Sequence, residues 1–167
     1  MKLPERMVLS NADRKTVLPL LERALVGKHL CGIHFYFTPI VLVNYPDAPS
    51  DASEAFITIE SAWRREERLR GDWPSTEADL PEQSVAHLAT AAAELRPYRI
   101  KAISLGTTAA HLRLEFENGA ALLLSGNNPF YESWQVSTPN LLVVAAPGGG
   151  VTWWSADNSH LRSPNER

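Results

Sequence analysis

Two short phrases constrain this chain more than any other feature. IESAW ends at Trp63 and YESW ends at Trp134, and each sets a Glu-Ser pair ahead of a tryptophan at the close of an apolar run. The tryptophans are 71 residues apart. Leu25 and Leu95 close two helical patterns 70 residues apart, and Ile33 and Ile103 fall in the strands that follow, again 70 apart. A period this long exceeds that of the common solenoids and points to a duplicated supersecondary unit. The expected fold class is α+β: two tandem helix-plus-antiparallel-sheet units, about 16–70 and 79–156, in one domain spanning 1–167 and closed by a C-terminal β-hairpin. A sheet with one apolar face needs a helix or the other unit to cover it. Trp63 and Trp134 are therefore expected as core anchors.

Local patterns supply the elements. Thr16 is a candidate cap for the first helix, with Pro19 in its first turn, an apolar face of Leu20, Leu21, Ala24 and Leu25, and Gly27 as the stop. KHLCGIHFYF and IVLVNY read as strands around Thr38-Pro39, and EAFITIESAW, 54–63, reads as one further strand. Asp79 and Glu82 form a capping box for a second helix, with Pro81 in its first turn and Val85, Leu88, Ala89, Ala92 and Leu95 as its stripe. Pro97 ends it. RIKAISL is a strand. HLRLEFE alternates, with His111, Arg113, Glu115 and Glu117 opposite Leu112, Leu114 and Phe116. Asn118-Gly119 signals a type I′ hairpin. LLVVAA and VTWWS flank Pro147-Gly150 as a last pair of strands.

Charge and composition narrow the function. Ten basic against twelve acidic residues up to position 80, and six against seven after it, give the halves charges of −2 and −1. Neither half has the basic stripe that nucleic-acid binding needs. The run RREERLRGD, 64–72, mixes signs and reads as a solvated face. No segment has the ~18 apolar residues of a membrane span, and the first fifteen residues lack a signal-peptide core. A cytoplasmic protein is expected. The single cysteine, Cys31, lies in an apolar strand and reads as a buried, inert thiol.

Catalytic constellations are sparse. His29, His34, His87, His111 and His160 form no ligand pair at helical spacing, and His29 and His34 are expected on opposite faces of a strand. Ser61 and Ser133 lie in no nucleophile elbow. Glu60 and Glu132 are the best pair of acids, because the repeat makes them near-equivalent; a hydrolase would need them in one cleft. APGGGV reads as a hairpin turn. No cofactor, metal or catalytic residue is assigned. Asp47, Asp51 and Asp72 in loops, with Trp153 and Trp154 at the last strand, are the candidate partner-binding residues.

The stretch LRLEFENGAALLLSG…YESWQV resembles small bacterial domains of unknown function that have an Asn-Gly hairpin and an ESW-type strand end, some of them immunity proteins of polymorphic toxin systems. The resemblance covers about 100–136 and, more loosely, 28–65. It implies a non-catalytic protein-binding domain whose partner is a toxin. A small hydrolase using Glu60 or Glu132 and a structural or oligomerisation domain, a homodimer included, are the alternatives.

Overall fold

The computed structural model describes residues 9–46 and 54–156. Helix α1 spans Asn11–Leu25 and α2 spans Val85–Leu95. The strands are β1 (His29–Phe35), β2 (Pro39–Asn44), β3 (Ala55–Ile59), β4 (Trp63–Glu66), β5 (Ile100–Leu105), β6 (Leu112–Phe116), β7 (Ala121–Leu124), β8 (Trp134–Thr138), β9 (Leu141–Ala145) and β10 (Val151–Ser155). They form a six-stranded sheet, β1-β2-β3-β8-β9-β10, and a four-stranded sheet, β4-β7-β6-β5, with antiparallel pairing throughout.

Four strands follow α1 and six follow α2. In each run the first three strands stay together and the fourth crosses over: β4 joins β7, and β8 joins β3. The helices cross in the same sense, α1 packing against β5 and β9, and α2 against β1. Leu25 is the last residue of α1 and Leu95 of α2; Trp63 opens β4 and Trp134 opens β8.

The crossing corrects the reading of 54–63 as one strand. The chain leaves the large sheet after Ile59 and enters the small one at Trp63. Ser61 holds the corner by donating to the Ser125 carbonyl at 2.7 Å. Trp134, fully buried, donates its indole N–H to the Ala110 carbonyl at 2.7 Å and so ties the large sheet to the loop between β5 and β6.

The helix starts differ from the pattern. α1 begins five residues before Thr16, where the Ser10 hydroxyl accepts from Asp13 N–H at 3.0 Å; Thr16 lies inside and bonds back to Ala12. Pro19 sits mid-helix rather than in the first turn, on the exposed side, where water can reach the carbonyl its missing N–H leaves free. For α2, Asp79 closes a box with Thr76 on a short 3-10 turn, Glu77–Asp79. Pro81 disfavours helical backbone at Leu80, which is extended at ψ 144°, so the helix waits for Ser84, whose hydroxyl accepts from His87 N–H. Val85, as first residue, is exposed, and the buried stripe is Leu88, Ala91, Ala92 and Leu95.

Two further details change. Asn118 does not take positive φ; Gly119 alone does, at 85°, and its N–H bonds to the Phe116 carbonyl. The hairpin is thus a type I turn closed by a left-handed glycine, the three-residue alternative to type I′. A bulge between Leu30 and Gly32 adds a residue to β1. His29 and His34 then pair with Asn44 and Ile40, four apart, and share a face instead of opposing. The same bulge leaves Cys31 exposed, which overturns its reading as a buried thiol.

The inner face of the large sheet is continuous with one core: Val41, Val43, Ala55, Ile57, Trp134, Val136, Val143 and Ala145 are all buried. Its outer face alternates with these, residue by residue, and is nowhere buried from β3 to β10.

Trp134→Ala and Trp63→Ala should each lower stability by about 3–5 kcal/mol, read as a fall in denaturation midpoint. Gly126→Ala tests the same corner more finely. A Cβ there would lie 1.8 Å from the Ala110 carbonyl oxygen that receives the Trp134 indole. The backbone must shift, so a loss of at least ~1–3 kcal/mol is expected. In the native state Cys31 should react stoichiometrically with a bulky thiol reagent. Partial burial first, then the Glu54 carboxylate, pushes its thiol pKa up, so labelling should be slow at neutral pH and accelerate in alkali.

Candidate functional site: a polar layer and an aromatic end

The alternation in β6 places His111, Arg113 and Glu115 on one face of the small sheet, yet His111 and Arg113 are buried. The connector 67–80 covers them. Trp73 lies with its ring 4.2 Å from the Arg113 guanidinium and stacks at 6.0 Å on His111. Arg113 Nη2 donates to the Asp72 carbonyl at 2.6 Å and to Glu66 Oε1 at 3.2 Å. Its Nε is 3.1 Å from Glu66 Oε2, off the line of a hydrogen bond. Arg64 also donates to Glu66, at 2.8 Å. RREERLRGD is therefore only partly a solvated face: Glu66 is a buried acceptor between two guanidiniums.

His111 Nδ1 accepts from Gly126 N–H at 3.1 Å, which leaves the ring proton on Nε2. Burial pulls its pKa down to about 4; the Arg113 charge adds to this and a hydrogen bond at Pro74 opposes it.

The connector continues into a clamp. Glu77 accepts from Asn128 Nδ2 at 2.9 Å and from Ala62 N–H at 3.4 Å. Asn128 Oδ1 in turn accepts from the N–H groups of Phe130 and Tyr131, both at 2.9 Å. Two exposed aromatics are thus presented by a hydrogen-bonded loop, their rings edge to face at 6.5 Å.

Strand register places this loop. Phe35 and Pro39 close the β1–β2 hairpin, Ile59 pairs with Trp134, and Ser133 N–H bonds to the Ala145 carbonyl. The hairpin tip, the β3–β4 corner, the loop before β8 and the glycine turn 147–150 consequently share one end of the large sheet. β2 and β8 are two strand spacings apart, ~10 Å. The tip carries Phe35, Tyr36 and Phe37, with Tyr36 74% and Phe37 fully exposed. A groove of about 340 Å³ beside it is lined by Thr38, Pro39, Glu60, Glu82 and Val85. The residues 35–39, 59–62, 81–85 and 128–133 hold three carboxylates, Glu60, Glu82 and Glu132, and no Lys or Arg. Motif reading missed this end. FYF before Thr-Pro and FY after Asn-Asn-Pro were its signal: adjacent aromatics beside turn residues, where alternate burial cannot hide them.

The residues singled out from sequence are not gathered together. Asp47 and Asp51 lie outside the described residues, as does His160. Asp72 is on the connector, its carboxylate exposed and 4.0 Å from Arg64. Trp153 is half-buried against the core, and Trp154 is exposed on the opposite side of β10. Glu60 and Glu132 do approach through the backbone, since Glu60 N–H bonds to the Ser133 carbonyl at 2.9 Å. Both side chains are exposed; Glu60 lines the groove with Glu82, and Glu132 accepts from Gln135 at 2.7 Å. Ser133 is buried and accepts from Asn128 N–H. Among the described residues no cluster of His, Cys, Asp and Glu is arranged for a metal ion, and no helix is long and apolar enough to cross a membrane.

No protein-family model, curated protein or solved structure matches this chain.

His111 makes stability depend on pH. Its folded pKa, about 4, lies below the ordinary ~6.5 of the unfolded chain. Between these values the unfolded state binds more protons, so this contribution is complete above pH ~6.5 and lost as pH falls to ~4. The loss should be a few kcal/mol at most, of the order of one to three. His111→Gln keeps an acceptor for Gly126 N–H and should remove this share of the slope in denaturation midpoints measured from pH 7 to 4.5. An unchanged slope would show that the ring is already solvated.

Proposed function

We propose that the chain is a non-catalytic, cytoplasmic protein-binding domain, built from a duplicated unit, whose partner docks on the aromatic end of the large sheet. The observation that carries this reading is the set of five exposed aromatics, Phe35, Tyr36, Phe37, Phe130 and Tyr131, at one end of one sheet. Aromatic anchors are common hot spots of protein interfaces, and a hydrogen-bonded loop presents Phe130 and Tyr131 at low entropic cost. The charges on the segments that form this end, Glu60, Glu82 and Glu132, are carboxylates, with Arg96 in the groove behind Phe35, and this balance favours a basic partner and fast association with it. An immunity protein that covers a basic toxin, of nuclease type, is the form of this reading that the family resemblance suggests. The duplication draws support from the two helix-plus-strand runs, the reciprocal crossing of β4 and β8, and the matching places of Leu25 with Leu95 and Trp63 with Trp134.

The test is capture of a stoichiometric partner by the tagged chain in its native cells, repeated with Phe37→Ser, Tyr131→Ser and Glu60→Lys. These side chains are exposed, so melting should change little. Each aromatic variant should weaken binding at least tenfold. Retention of the partner by all three would move the binding surface elsewhere. Absence of any stoichiometric partner, with hydrolytic activity lost in Glu60→Gln, would favour the hydrolase.

A further inference from the structure

The outer face of the large sheet breaks the usual division of an antiparallel sheet into apolar inside and polar outside. One row across it, read through the strand register, is Gly32, Leu42, Phe56, Ser137, Leu142 and Trp154. The next is His34, Ile40, Thr58, Gln135, Val144 and Thr152. Neither row contains Asp, Glu, Lys or Arg, and all of these residues are exposed or half-buried. Leu142 and Trp154, a cross-strand pair, are 38% and 57% exposed. A monomer ordinarily breaks such a face with charge, and β10, an edge strand among the described residues, would be the place for it.

We propose that this face binds the same face of a second copy, forming a two-fold dimer of sheet on sheet. The sizes of the side chains select that occupant. A two-fold axis along the strands, between β3 and β8, exchanges β1 with β10, β2 with β9, and β3 with β8. In the first row it sets Gly32 opposite Trp154, Leu42 opposite Leu142, and Phe56 opposite Ser137. In the second it sets Ile40 opposite Val144, Thr58 opposite Gln135, and His34 opposite Thr152. The largest side chains meet the smallest, and the medium ones meet each other. A charged side chain close to the two-fold axis would meet its own copy, and these two rows have no acidic or basic residue. Six strands at ~4.8 Å give a face roughly 25 Å wide. With only two rows about 7 Å apart the patch is smaller than standard specific interfaces, so the dimer should be weak and reversible, with a dissociation constant of the order of micromolar or above. It leaves the aromatic end free and does not depend on the partner proposed there.

The test is sedimentation velocity of the full chain from about 1 to 200 µM, with Ser137→Arg and Thr152→Lys as variants. The wild-type mass should rise from that of an 18.5 kDa monomer towards twice that value. Ser137→Arg, near the axis, should raise the dissociation constant at least tenfold while circular dichroism stays unchanged. Thr152→Lys, exposed at the edge and without a core contact, gives the same readout if Ser137→Arg fails to fold. A wild type that stays monomeric at 200 µM overturns the proposal and leaves the face to a different partner. A dimer that both folded variants retain overturns it as well, since the interface would then lie elsewhere.

Discussion

β4 and β8 each leave the strands that precede them in the chain and complete the other sheet. Ladder hydrogen bonds from Phe56–Ile59 to Trp134–Ser137 and from Trp63–Glu66 to Ala121–Leu124 make either half incomplete without the other. α1 covers β5, and α2 covers β1, so the apolar faces are also satisfied across the halves. Such pairings join residues far apart in sequence and can form only after large loops close, which makes this topology slow to assemble and cooperative once assembled. The Trp134–Ala110 hydrogen bond sits where the exchange is tightest, with Gly126 allowing the two backbones to touch.

The polar layer on the small sheet has a different role. A buried carboxylate between guanidiniums adds little net stability over an apolar replacement, because desolvation offsets the attraction. What it does is fix position. Arg113 holds the Asp72 carbonyl and the Trp73 ring, and these lay the connector across the sheet. The connector then brings Glu77 to Asn128, and Asn128 shapes the loop that presents Phe130 and Tyr131. A strand-face cluster is thus linked through the connector to the loop that presents Phe130 and Tyr131 at the end of the other sheet.

Much of this was legible in the chain. Periodicity placed both helices, with their starts about five residues off, and most of the strands; Leu25 and Leu95 end their helices, and Trp63 and Trp134 open their strands. Local rules erred where a competing local rule won: Pro81 delayed α2, Ser10 displaced Thr16, and a single left-handed glycine replaced the type I′ turn. Alternation in β6 correctly separated His111 and Arg113 from the leucines. It carried no information about what would cover them.

The sequence by itself determined the α+β class, the two helices, most of the strands and the alternation of strands such as β6, because these depend on propensity and on periods of 3.6 and 2. Tertiary structure alone decided that IESAW is a crossing between sheets, that a charged run supplies a buried acceptor, that Cys31 faces solvent and that five aromatics meet at one end. Each of these depends on contacts between residues tens of positions apart, and a hydrophobic pattern records the face of a residue without recording its neighbour.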